Sequence, residues 1–177
     1  MTRSMLLTGA LPLALAMAGA RAVVAVPSDE GFVREAASGG KIEVELGRYA
    51  SRHAADPQVV KFGERMVADH GKANAELAQI AERESIVMPT DTAVADDPMV
   101  KKLTAFKGTD FDREYMKAMV EDHEEDVAKF REMSRSAATP AVKAFAQKTL
   151  PTLEEHLKMA KEIAARVERH ASAADVR

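Results

Sequence analysis

Apolar residues in this chain recur every three or four positions, and the stretches that carry the pattern are separated by proline, glycine and short polar runs. That period belongs to helices that bury one face. Ser28 is placed to cap a first helix running to about His53, with Phe32, Ala36, Ile42, Leu46 and Tyr49 or Ala50 recurring at helical intervals, and Gly39-Gly40 weakening its middle. Asp56-Pro57 is a capping acid followed by proline at the first helical position. From there Val59, Phe62, Met66, His70, Ala73, Leu77 and Ile80 predict a second helix ending near Ser85.

Pro89, Pro98 and Gly108 mark residues 86–109 as a crossing connection, with one short helix at about 98–106. A third long helix is predicted over about Asp110–Ser136, with Met116, Met119, Val120, His123, Val127 and Phe130 on one face. Thr139-Pro140 repeats the cap and proline, and Val142, Ala146, Leu153, His156, Ala160, Ile163 and Val167 carry a fourth helix to about His170. Pro151 lies inside it and predicts a kink, because proline cannot donate and crowds the preceding turn. Residues 171–177 are expected to be a disordered tail.

No run alternates apolar and polar, and no Asn-Gly or Asp-Gly hairpin occurs, so four apolar stripes must bury one another. The fold class predicted is all-α, a four-helix up-down bundle of ferritin-like kind with a short extra helix in the second connection. Its 177 residues suit one domain, spanning 23–170.

The N-terminus changes the picture. Met1-Thr2-Arg3, an apolar run from Met5 to Gly19 and then Ala20-Arg21-Ala22 have the order of a secretory signal, with cleavage expected after Ala22. The run is shorter than the roughly 20 residues of a spanning helix and is broken by Gly9 and Pro12, so no stable membrane span is expected after cleavage. A periplasmic or secreted location follows. Cleavage takes two arginines and no acid, moving the net charge from −3 to −5, which disfavours nucleic-acid binding. With no cysteine, neither disulfides nor thiolate chemistry are available, and any metal must use His, Met, Asp or Glu.

Candidate chemistry lies in a repetition. Met66-Val67-Ala68-Asp69-His70 recurs as Met119-Val120-Glu121-Asp122-His123, and His156 follows in Leu153-Glu154-Glu155-His156. Each histidine falls near the centre of its helix, and midpoints share one level in an up-down bundle whatever the helix direction. Glu43 and Glu45 lie at comparable height on the first helix, where one can face inward. Glu45 is the carboxylate assigned to the layer. Asp69 and Asp122 turn about 100 degrees from the histidines they precede, so they suit supporting partners or solvated flanks. The acids Glu121, Glu124, Glu125 and Asp126 read as a solvated face.

Two readings fit this layer. One is a metal centre of His70, His123 and His156 with Glu45, and with Met66 and Met119 as soft donors; copper, zinc and iron are the candidate ions. Val67, Val120 and Leu153 stand where a carboxylate-bridged di-iron bundle carries a glutamate three residues before histidine, which counts against a ferroxidase centre. The other is a buried His/Asp/Glu network that sets helix register, with the methionines as core packing and the charged outer faces as an interaction surface. Nucleophilic catalysis has no signature, since there is no Gly-x-Ser-x-Gly elbow.

Phe62-Gly63-Glu64-Arg65-Met66-Val67-Ala68-Asp69-His70, Val44-Glu45-Leu46-Gly47, Phe111-Asp112-Arg113-Glu114-Tyr115-Met116 and Leu150-Pro151-Thr152-Leu153-Glu154-Glu155-His156-Leu157 together resemble the pattern of the domain of unknown function 4142 family, over about residues 29–165. The resemblance implies an exported bacterial protein with a ferritin-like bundle. Such proteins often carry an outer-membrane label, but helical periodicity cannot supply the alternating strands of a barrel.

Overall fold

Capping decides where the helices begin. In the computed structural model, which describes residues 28–89 and 92–175, α1 (Asp29–His53) starts at Ser28, whose hydroxyl accepts from Gly31 N at 3.0 Å. Asp56 accepts from Gln58 N at 2.8 Å to start α2 (Pro57–Arg83), and Asp97 caps the short α4 (Pro98–Thr104) in the same way. A single turn, α3 (Thr92–Ala95), precedes α4. The third long helix, α5 (Gly108–Ser136), begins earlier than its apolar face required, because Gly108 takes φ +59° to turn the chain into it. The last, α6 (Pro140–Asp175), passes through Pro151 without ending and continues past the expected stop at His170, so the described part of the expected tail is helical.

The described residues therefore form an all-helical bundle without strands. Long helices pair as α1 with α2 and as α5 with α6, while α2 with α6 and α1 with α5 close the ring more loosely. Gly39-Gly40 does not break α1. Gly40 instead faces Asn74 at a distance that leaves no room for a Cβ, and Gly47 packs on Gly63 so closely that a Cβ on either would lie 2.7 Å from the other's carbonyl oxygen. These glycines let two backbones approach.

The apolar interior falls into two clusters. One joins Phe32, Leu77, Ile80, Phe130 and Phe145, with the Phe32 and Phe130 rings meeting edge-on at 4.8 Å. The other joins Leu46, Phe62, Met66, Tyr115, Met119 and Ile163, with Val100 and Leu103 of α4 closing one side. Between them lies a polar layer of Glu43, His70, His123 and His156, all buried. The leader expected at residues 1–22 lies outside the described residues.

Candidate metal centre

Each long helix contributes one buried polar side chain to this layer: Glu43 from α1, His70 from α2, His123 from α5 and His156 from α6. The three ring centroids form a near-equilateral triangle with sides of 5.4, 5.4 and 5.7 Å. One nitrogen of each ring lies within 4.8 Å of those of the other two. Donors on bonds of about 2.0–2.1 Å in a tetrahedron stand some 3.4 Å apart, so a small inward rotation of the rings would bring these nitrogens onto one ion.

Hydrogen bonding divides two of the rings, His123 and His156, into a held side and a free side, and His70 has one nitrogen close to a carboxylate and the other free. His123 Nδ1 lies 2.9 Å from the carbonyl oxygen of Met119. A carbonyl only accepts, so Nδ1 carries the hydrogen and Nε2 a lone pair. His156 Nε2 lies 3.0 Å from Asp69 Oδ2, an ionised carboxylate, which places the lone pair on Nδ1. His70 Nδ1 stands 2.7 Å from Glu43 Oε2. The remaining nitrogens, His70 Nε2, His123 Nε2 and His156 Nδ1, are buried without a hydrogen-bond partner. A ring held through one nitrogen with the other left open is how proteins orient imidazole ligands.

Burial keeps these rings neutral. His123 is pulled down to about 3 by burial and by the charges of His70 and His156. His156 falls to about 4 through burial, which outweighs the opposing bond to Asp69. His70 is lowered by burial against the pull of Asp126, Asp122 and Asp69. At neutral pH the layer presents imidazole lone pairs and no imidazolium.

Glu43 is the carboxylate that faces the layer. The sequence assignment to Glu45 is corrected: that side chain is 43% exposed and lies 3.8 Å from Arg48. Glu43 Oε1 also stands 3.4 Å from His123 Nε2, yet neither Glu43 oxygen makes an aligned hydrogen bond to a histidine. Burial raises its pKa well above the usual carboxylate range, and Asp122, which shares a hydrogen bond with it, raises it further. Asp126 is pushed up to about 8 by burial and by Glu43 and Asp122. The buried Tyr115 hydroxyl, raised by burial and by Glu43, also lacks a partner.

Met66 and Met119 are fully buried in the second apolar cluster, and Met119 meets the layer through its backbone carbonyl. Asp122, expected as a supporting partner or on a solvated flank, and Asp126, expected on a solvated face, both lie on the acidic side of the layer beside Glu43. The signal for Glu43 was present in the small residues around it. Ala37, Gly40, Glu43, Gly47 and Ala50 step by three or four along the buried seam of α1, while Ile42 and Tyr49 flank it half-buried.

The sequence profile of the family described as "Domain of unknown function (DUF4142)" matches residues 14–163. The chain belongs to this family. A crystal structure titled "putative secreted protein DUF305 from Streptomyces coelicolor" is similar to this DUF4142 chain with a TM-score of 0.67 at 14% identity, covering 81% of this chain and 96% of that one. At that identity the likeness concerns the fold. Among curated proteins there is no sequence match to the chain.

Proposed function

We propose that this protein is an exported helical-bundle protein that binds one divalent transition-metal ion through His70, His123 and His156, with Glu43 as the carboxylate donor. Its four long helices are read as an up-down bundle of ferritin-like kind. The observation that carries the metal reading is the convergence of three buried imidazoles, each with one nitrogen left without a hydrogen-bond partner. Buried polar atoms left without partners each cost about 1–3 kcal/mol, and a cation in their midst would engage several at once. Its charge would also favour the ionised form of Glu43, which no lysine or arginine among the described residues offsets.

A carboxylate beside three imidazoles suits zinc or copper(II) better than a cuprous ion held by thioethers, so Met66 and Met119 serve as packing and backbone support. Export is supported by the basic, apolar and small-residue order of residues 1–22 and by the secreted description of the structural neighbour. A role in envelope or stress physiology is the context we assign.

Metal analysis of protein purified without chelators tests the reading. One equivalent of zinc or copper in the parent, lost in the His70→Ala/His123→Ala variant, is expected. A parent protein free of metal and unable to take up either ion refutes it. That outcome would favour the second reading, a metal-free network setting helix register, for which the close approach of Glu43, Asp122 and His123 speaks.

A further inference from the structure

Three depressions on the surface of the bundle differ in charge. The one between α2 and α6 holds Lys61, Arg65 and Glu162 over an apolar floor. A second, also between α2 and α6, reaches Asp69 and sets it and Glu76 against Lys72 and Lys148. The third, of about 360 Å³ between α4 and α5, gathers Glu121, Asp122 and Glu125 with one lysine, Lys102, whose ammonium lies 3.9 Å from Glu114. Only this last is acidic among them.

It is also the one from which carboxylate oxygens lead inward to a histidine. Asp122 lines the depression and is partly exposed, yet one of its oxygens lies within 4.8 Å of both a Glu43 oxygen and a His123 nitrogen. Glu43, 1% exposed and with neither oxygen hydrogen-bonded in aligned geometry to a histidine, then touches His70 and His123 together. The Asp69 side is closed to a cation. Arg65 donates to Asp69 there, Lys72 stands 4.0 Å away, and the remaining contact goes to His156.

We propose that the α4/α5 depression is the entrance by which a divalent cation reaches the histidines, collected by Glu121 and Glu125 and passed inward by Asp122 and Glu43. The proposal rests on the metal reading above and adds a route to it. A cation moving along this line exchanges one oxygen donor for the next and is never stripped of ligands at once, which a direct jump through the apolar clusters would require. Carboxylates at a mouth raise the local cation concentration and hence the association rate, an effect that salt screens.

Stopped-flow absorbance of cobalt(II) binding to the full chain at low ionic strength tests the route. Relative to the parent, Glu121→Gln/Glu125→Gln is expected to load at least about threefold more slowly with unchanged stoichiometry, and added salt should slow the parent toward the variant. Glu76→Gln, which removes an acid from the Asp69 side, should load at the parental rate. Asp122→Asn should load more slowly still. Normal uptake at a rate indifferent to Glu121 and Glu125, or a slowing confined to Glu76→Gln, overturns the entrance and leaves the metal reading standing. Absence of cobalt uptake by the parent overturns both.

Discussion

Asp69 and Glu43 are both acids in contact with a histidine of the same layer, and the bundle treats them in opposite ways. Asp69 keeps 18% of its side chain exposed, pairs with Arg65 and Lys72, and receives a hydrogen bond from His156. Burial works against its charge, but the bond from Arg65 and that from His156 outweigh it and hold the carboxyl below its usual range. Glu43 has the burial without the cation. Its nearest titratable neighbours are two neutral histidines and another acid, so its charge is resisted at neutral pH. An anion made permanent by a neighbouring guanidinium can orient a ring, whereas one left without a counter-charge is poised to accept one. The first is a support and the second a place for a ligand.

The largest effect expected comes from pushing Glu43 away while leaving Asp69 in place. Gly47 lies one turn from Glu43 at the tight α1/α2 contact, where an added Cβ would meet the Gly63 carbonyl oxygen at 2.7 Å. Gly47→Ala should therefore destabilise the fold by about 2–3 kcal/mol, as overpacking does, and weaken metal binding at the same time. Urea unfolding with a zinc titration would check it. A fully stable, fully binding variant would mean that the close approach does not set the position of Glu43.

Removing each acid's charge should then give opposite signs. Asp69→Asn takes an ionised partner from Arg65 and His156 and should cost about 1–3 kcal/mol in the metal-free protein. Glu43→Gln removes a carboxyl that resists ionisation, so the metal-free protein should be as stable or more so, while metal affinity falls about 10- to 100-fold. Paired denaturation curves with and without zinc separate the two. Equal losses from both substitutions would erase the distinction.

A smaller effect is set by pH. In the metal-free protein His123 and His156 titrate near 3 and 4 when folded but near 6.5 when unfolded, so stability is gained as pH rises from about 3 to 6.5. Asp126, at about 8 when folded and near 3.8 otherwise, binds more protons in the folded state between those values. Its contribution is therefore lost as pH rises toward 8, and Glu43 acts in the same direction. Above pH 6.5 the histidine gain is complete while the acids still lose protons, so stability should decline from pH 6.5 to pH 8, with the decline reduced in Asp126→Asn and in zinc-loaded protein. Denaturation midpoints at the two pH values would decide. Smallest of all, Glu45→Gln should stay within about 0.5 kcal/mol of the parent and bind metal unchanged, since its side chain is partly solvated and its one ion-pair contact is to the exposed Arg48.

Much of this molecule is legible in its linear order. The Asp-Pro start at 56–57 and the Thr-Pro start at 139–140 mark helices observed from Pro57 and Pro140, and the three histidines read from their apolar seams are all buried together. These features are local: caps, proline positions and a 3.6-residue period act within one or two turns, so adjacent residues suffice to reveal them. The choice between Glu43 and Glu45 is of another kind. Both lie at nearly the same height, two residues and some 200 degrees apart on one helix, and which faces inward depends on how α1 is rotated about its own axis. That rotation is imposed by Gly40, Gly47 and Gly63, which let α1 and α2 approach until backbone meets backbone or side chain. Likewise, whether Asp126 is solvated or drawn toward Glu43 is decided by helices far away in sequence. Sequence periodicity determined that imidazoles would share a level inside a bundle; only the packed helices, through contacts no single segment encodes, decided which acid joins them and which is held by an arginine outside.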